Sequence, residues 1–260
     1  MKLEYFDLLS PEPIHIKDIG HIKSPTLREI SKIRYAQYNQ YLNILLFTPE
    51  DYYNNFEKDK VEWFKALDDD SKSKIYLYDL IINNKFILYL FLESFNFFFE
   101  ESVVFNTITN QFVLYESEEA VKNEDKPVGI IDNNNFYDMC DIILQRNNIF
   151  KNYANEDFKK VKNNRALEIL KKLKKGQEKQ NKQNKYDKKV ELPNVISALC
   201  AYHNSLNMIN IWDMTVYQVY DQFKRLQNNT IYNIQSMSTS VWGDKDNKFD
   251  ITRWFQLMDD

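Results

Sequence analysis

The chain has 260 residues, 43% of them hydrophobic and 15% aromatic, with a formal net charge of −4. That is enough apolar material for one or two packed domains. Its 4 glycines, Gly20, Gly129, Gly176 and Gly243, are far apart, so neither a P-loop nor a dinucleotide-binding fingerprint can be drawn from them, which argues against the common nucleotide-binding enzymes.

The N-terminal part, residues 1–150, carries 15 Lys/Arg against 25 Asp/Glu. A Pro-punctuated loop, Ser10–Pro11–Glu12–Pro13, leads into a short β-capable run, Ile14–His15–Ile16. Ser24 before Pro25 reads as a cap and first-turn pair. From there Leu27, Ile30, Ile33, Tyr38, Tyr41, Leu42 and Leu45 fall mostly on one helical face. The signal repeats at Thr48–Pro49–Glu50–Asp51, and Val61, Phe64 and Leu67 continue that second helix. Between Ile75 and Phe99 the pattern favours helices broken near Asn83–Asn84. The period then changes. Val103–Ile108 and Phe112–Tyr115 read as a hairpin around Thr109–Asn110–Gln111, and Val128–Ile131 as a third strand. This predicts a small antiparallel sheet within residues 103–132, leaning on the helices. Asn134–Asn135 is placed to cap a helix through Phe136, Met139, Ile142, Ile143 and Gln145.

Residues 151–190 hold 14 Lys/Arg against 5 Asp/Glu. They predict a basic helix that fades into a flexible linker, with docking on an acidic protein surface or on nucleic acid as the competing readings. Nucleic acid is not favoured, since few aromatics and a single Arg lie there. Residues 191–260 form a helical, aromatic C-terminal part. A helix starts near Pro193, and Thr215–x–x–Gln218 is a capping box, followed by an apolar stripe of Val216, Val219, Tyr220, Phe223 and Leu226. The fold class is therefore α+β, dominated by helix.

Reactive constellations are scarce. Cys140 and Cys200 have no C-x-x-C partner; a disulfide between them is open but unforced, and they read as two buried thiols of a reducing cytosol. His15 and His21 lack any zinc spacing. Cys200 and His203, at i and i+3, are two ligands at most, with Cys200 expected in the core. Asp68–Asp69–Asp70 reads as a solvated run ending a helix. Asp244, Asp246, Asn247 and Asp250 lack the glycine and terminal Glu of a calcium loop. No metal, cofactor or catalytic residue is expected. The acidic start does not suit a signal peptide, and the most apolar stretch, Phe86–Phe99, is too short to cross a bilayer. The expected place is a host cytoplasm or a virion, with no membrane partner. The remaining anomaly is the aromatic ending. Trp212, Tyr217, Tyr220, Trp242 and Trp254 are candidate protein-binding residues, with core packing as the open alternative.

The order of these segments resembles tail-morphogenesis proteins of tailed phages of low-GC Gram-positive bacteria. The resemblance lies in Ser10–Pro11, Ile16–Lys17–Asp18–Ile19–Gly20, Ser24 through Ile30, Asn135–Phe136 and Ile142 through Asn147. It extends to the basic linker, Ile211–Trp212–Asp213–Met214–Thr215 through Phe223, and the ending Trp242–Gly243, Phe249–Asp250, Trp254. It implies a tail-assembly-chaperone-like, non-enzymatic role, binding a tape-measure protein or tail-tube subunits. It carries no site residues. Two other roles stay open: a structural tail or neck component, and an effector that binds a host defence protein.

Overall fold

The computed structural model describes residues 1–150, 190–244 and 249–256. The expectations for the basic stretch, apart from Val190, and for Asp246 and Asn247 lie outside them. The chain divides into two compact units, Met1–Ile149 and Phe150–Asp260. The fold is α+β and helix-dominant, with small antiparallel sheets.

In the first unit, helix α1 (Tyr5–Leu9) precedes a two-stranded hairpin, β1 (Ile14–Ile16) and β2 (Gly20–Ile22). Strand β2 is not anticipated by the local pattern. Helix α2 (Leu27–Ile33) starts on Thr26 rather than Ser24. Thr26 Oγ1 accepts from the Glu29 backbone N–H at 3.2 Å, and the Glu29 carboxylate accepts from the Thr26 N–H at 2.7 Å. Ser24 has Leu27 at the third position, so it cannot close that reciprocal box. The single helix expected to Leu45 breaks at Arg34, where φ is 72°, and α3 (Tyr35–Leu45) restarts after it. Thr48 caps α4 (Pro49–Phe56) as the sequence indicates. A 3-10 turn (Lys58–Lys60) then intervenes, so Val61 and Phe64 belong to a separate helix, α5 (Val61–Ala66). The acid run Asp68–Asp70 opens helix α6 (Asp69–Ser73) instead of ending one. Asp68 accepts from the Ser71 N–H at 2.8 Å, and hydrogen bonding from Ser71 holds its carboxyl below the usual range. Helices α7 (Leu77–Ile82) and α8 (Lys85–Phe98) flank the predicted break, with Asn84 capping α8.

The predicted sheet is present. Strands β3 (Ser102–Asn106), β4 (Gln111–Tyr115) and β5 (Gly129–Ile131) are antiparallel, in the order β3–β4–β5. A short unpredicted helix, α9 (Glu118–Lys122), lies between β4 and β5. Helix α10 (Phe136–Arg146) follows Asn135, whose side chain does not cap it. Asn135 instead turns back, accepting from the Asp132 N–H and donating to the Ile130 carbonyl, both at 2.9 Å. From Met139 to Arg146 every residue of α10 is buried, which marks it as an interior helix. Gly129 lets β5 pass against the turn between β1 and β2: a Cβ there would lie 2.2 Å from the Ile19 carbonyl oxygen.

The core of this unit is aromatic. Phe91, Phe95 and Phe98 of α8, with Phe99, Phe112 and Phe136, are fully buried. Tyr78 sits at the edge of that cluster, donating its hydroxyl to the Asn110 carbonyl at 2.8 Å and the Ile131 carbonyl at 3.2 Å. Burial, and after it the Asp132 carboxylate, holds its phenol well above the ordinary value of 10.0. The folded protein keeps this proton at a pH where the unfolded chain has released it. That contribution to stability is whole below about pH 10 and is lost as pH rises toward the folded value. Tyr78→Phe should cost about 1–2 kcal/mol at neutral pH by leaving the two carbonyls short of a donor. It should also flatten the alkaline fall in urea midpoint between about pH 9 and 11, where model tyrosine titrates. A variant whose alkaline decline matches the parent's would place the titration elsewhere, in Tyr41, Tyr52, Tyr53 or Tyr137, which burial also raises.

The second unit contains α11 (Leu192–Tyr202), a 3-10 turn (Ile211–Asp213) and α12 (Val216–Trp242). Leu192, Val195 and Leu199 of α11 are buried, with Ile211, Val216, Tyr217 and Val219. Thr215 and Gln218 close the predicted capping box at the start of α12. The helix runs 27 residues, about 40 Å, well past the stripe ending at Leu226. The chain then folds back along it. Asn228 donates to the Arg253 carbonyl, Arg253 Nε donates to Asn228 Oδ1 at 2.9 Å, and the Tyr232 and Phe249 rings are 5.6 Å apart.

Candidate protein-binding surface

The aromatic candidates of the C-terminal part do not share one environment. Tyr217 is 4% exposed and stacks edge-on against Phe150 at 6.4 Å, so it is interior. Trp212 is half-buried, with its Nε1–H donated to the Met208 carbonyl at 2.9 Å. Tyr220 is half-buried and donates to the Val190 carbonyl at 3.1 Å. Trp242 at 77% and Trp254 at 53% exposure stand outside the core. The indole of Trp254 meets only its neighbour Phe255 among the described rings, at 4.9 Å.

A larger feature lies on α12 itself. Val216, Val219, Phe223, Leu226, Thr230, Ile234, Met237 and Val241 follow one another in steps of three and four, which puts them on one face. The first two are buried, whereas Ile234, Met237 and Val241 are between 64% and 71% exposed. Ile231 and Trp242 flank them and are also exposed. The same apolar face thus passes from covered to bare along one helix. From Leu226 to Trp242 there is no charged residue at all. A helix facing only water usually carries charges on its exposed side. Covering Ile234, Met237 and Val241 would each contribute about 1–2 kcal/mol. The sequence points to the stripe as far as Leu226. Its continuation is masked by the intervening Asn and Thr, and a count of i+3 and i+4 steps through Val241 would have found it.

The first unit offers a second exposed aromatic group that the sequence reading did not single out. Phe56, Trp63, Phe86 and Tyr89 are all exposed, and the Phe56 and Phe86 rings lie 6.2 Å apart.

The other sequence candidates have structural roles. Neither Cys140 nor Cys200 is in a disulfide. Cys200 is half-buried rather than in the core, and burial raises its pKa. His203 ends α11, and its Nδ1 accepts from the Ser205 and Leu206 N–H groups, each at 3.2 Å. Asp244 accepts from the Phe249 N–H at 2.9 Å, and Asp250 from the Thr252 N–H at 2.8 Å, as turn residues do. Hydrogen bonds from Thr252 hold the Asp250 carboxyl below its usual range. Among the described residues no three His, Cys, Asp or Glu side chains gather as a metal cluster. No helix among them is long and apolar enough to cross a membrane.

Compared with known proteins, residues 179–259 match the family model described as the YomV second domain. That match fits a phage protein of low-GC Gram-positive bacteria. It contains α11, α12 and all five aromatic candidates. No curated protein and no solved structure matches the chain.

Proposed function

We propose that this chain works by binding another phage protein, as a non-enzymatic assembly chaperone or scaffold for tape-measure or tail-tube subunits. The observation that carries the binding part is the bare, uncharged apolar face of α12 at Ile234, Met237 and Val241, beside Trp242. Such a face matches an apolar or amphipathic client segment. The tail assignment rests on the resemblance of the ordered segments, and the match of residues 179–259 supports a phage protein in general.

The experiment is co-purification of the full chain with the tape-measure and tail-tube proteins of the same phage. Ile234→Glu and Trp242→Ala should each weaken capture by about 2 kcal/mol, roughly 30-fold in Kd. Because both side chains are exposed, the melting temperature should stay where it is. A drop in melting temperature with undiminished capture would instead make this face part of the chain's own core. Capture of a host enzyme and not of tail proteins would replace the chaperone role with that of an effector.

A further inference from the structure

Two histidines that look unrelated in sequence are brought together by the unpredicted strand β2. In the β1–β2 register His15 stands directly opposite His21. Their ring centres are 4.7 Å apart. Behind them lies Glu101, whose side chain is only 6% exposed. One of its carboxylate oxygens is 2.8 Å from His21 Nδ1, and both oxygens accept from the His21 backbone N–H, at 2.9 and 3.0 Å. The seat requires a glycine beside it. A Cβ on Gly20 would meet the Glu101 carboxylate at 2.7 Å. Among the described residues no Lys or Arg pairs with Glu101, and its buried carboxylate meets His21.

We propose that His15 and His21 form a binding site for a divalent first-row transition-metal ion, with the Glu101 carboxylate orienting the His21 ligand. By accepting from the Nδ1–H, Glu101 fixes the tautomer of His21 and leaves Nε2 as the coordinating nitrogen. A carboxylate behind a histidine also makes that imidazole a stronger ligand. The ring spacing leaves room for one ion about 2 Å from a nitrogen of each ring. The ion's charge then offsets that of Glu101, which no Lys or Arg among the described residues pairs. Two imidazoles leave further coordination positions to water or to a donor on another molecule. The site is therefore open and exchangeable, unlike the closed four-ligand sites that hold small folds together. Imidazole ligation suits copper, nickel and zinc, and the affinity order for such a site puts Cu²⁺ first.

The test is calorimetric titration of the untagged full chain, carrying Cys200→Ser to remove the accessible thiol, with Cu²⁺, Ni²⁺ and Zn²⁺. One ion per chain is expected, bound most tightly for Cu²⁺ and more weakly as pH falls, because protons compete for the imidazoles. His15→Ala should weaken binding at least tenfold, as should His21→Ala, and Glu101→Gln by about 10–100-fold. His15 is exposed, so its alanine variant keeps its circular dichroism and is the deciding one. The Cu²⁺ electron paramagnetic resonance spectrum should show coupling to two ring nitrogens, reduced to one in His15→Ala. Absence of binding, or a His15→Ala protein that binds Cu²⁺ as tightly as its parent, overturns the proposal.

Discussion

Phe95→Ala should lower the stability of the first unit by about 3–5 kcal/mol, the usual cost of emptying a buried phenylalanine site. Phe95 is completely buried on α8. Its ring lies 5.1 Å from Phe112 on β4, 6.1 Å from Phe136 on α10, 6.0 Å from Phe91 and 5.8 Å from Phe99. One side chain therefore touches the sheet, the interior helix and its own helix at once. Its contacts with Phe99 and Phe112 are near-perpendicular, the favoured edge-to-face arrangement, and each such pair adds about 0.5–1.5 kcal/mol to simple burial. The surrounding rings belong to three different elements, so they cannot collapse together into the space. The loss should be read as a lower urea midpoint with an unchanged slope. Phe86→Ala is the internal control. It lies on the same helix but is exposed, and should cost less than about 1 kcal/mol. Equal losses at the two positions would mean that the core is not organised around Phe95.

Why some elements are legible in the sequence and others are not follows from where their stabilising contacts lie. The Val103–Ile108 and Phe112–Tyr115 runs carry their own period and branching, and the hairpin forms nearly where they indicate. Thr215 and Gln218 are three residues apart, so the start of α12 is a local matter. Strand β2 is different. Three residues, Gly20–His21–Ile22, are held by the Phe98–Glu101 segment: Lys23 N–H donates to the Phe98 carbonyl at 2.9 Å and Glu100 N–H to that of His21 at 3.0 Å. No window around residue 21 contains that information. The break at Arg34 likewise has no Gly or Pro to announce it. For the candidate binding surface, residue type is a poor guide to exposure. Tyr217 and Trp242 are aromatic residues of one helix, yet one is interior, against Phe150, and the other is exposed. The i+3 and i+4 steps from Leu226 to Val241 were in the sequence and would have extended the stripe. Whether anything covers it is a property of the fold.

Arg146→Ala should destabilise the first unit by about 3–5 kcal/mol, and the N-terminal segment should come loose first. Arg146 ends α10 and is completely buried. Its Nη1 donates to the Asp7 carbonyl at 2.6 Å and its Nη2 to the Glu12 carbonyl at 2.7 Å. The planar guanidinium thus spans two points of the N-terminal segment, which a lysine cannot do with a single ammonium. No acidic side chain among the described residues forms an ion pair with it. Burial pulls its pKa down to about 10, with Asp7 opposing the shift. It is still charged at neutral pH, so it is a buried cation held by carbonyls, and its Nε has no partner. One residue earlier, Gln145 makes a parallel attachment. Its Oε1 accepts from the Leu3 N–H at 2.9 Å and its Nε2 donates to the Met1 carbonyl at 2.7 Å. Alanine at 146 removes the donors, strands the two carbonyls and opens a large cavity, whereas methionine fills the space without restoring the bonds. The expected order of stability is Arg146, then Met, then Ala. Amide exchange at Leu3 and Leu8 should speed up in both variants before the α8 and α10 amides change. If Arg146→Met were as stable as the parent with residues 1–12 still protected, packing alone would hold the segment, and the two carbonyl bonds would contribute nothing net.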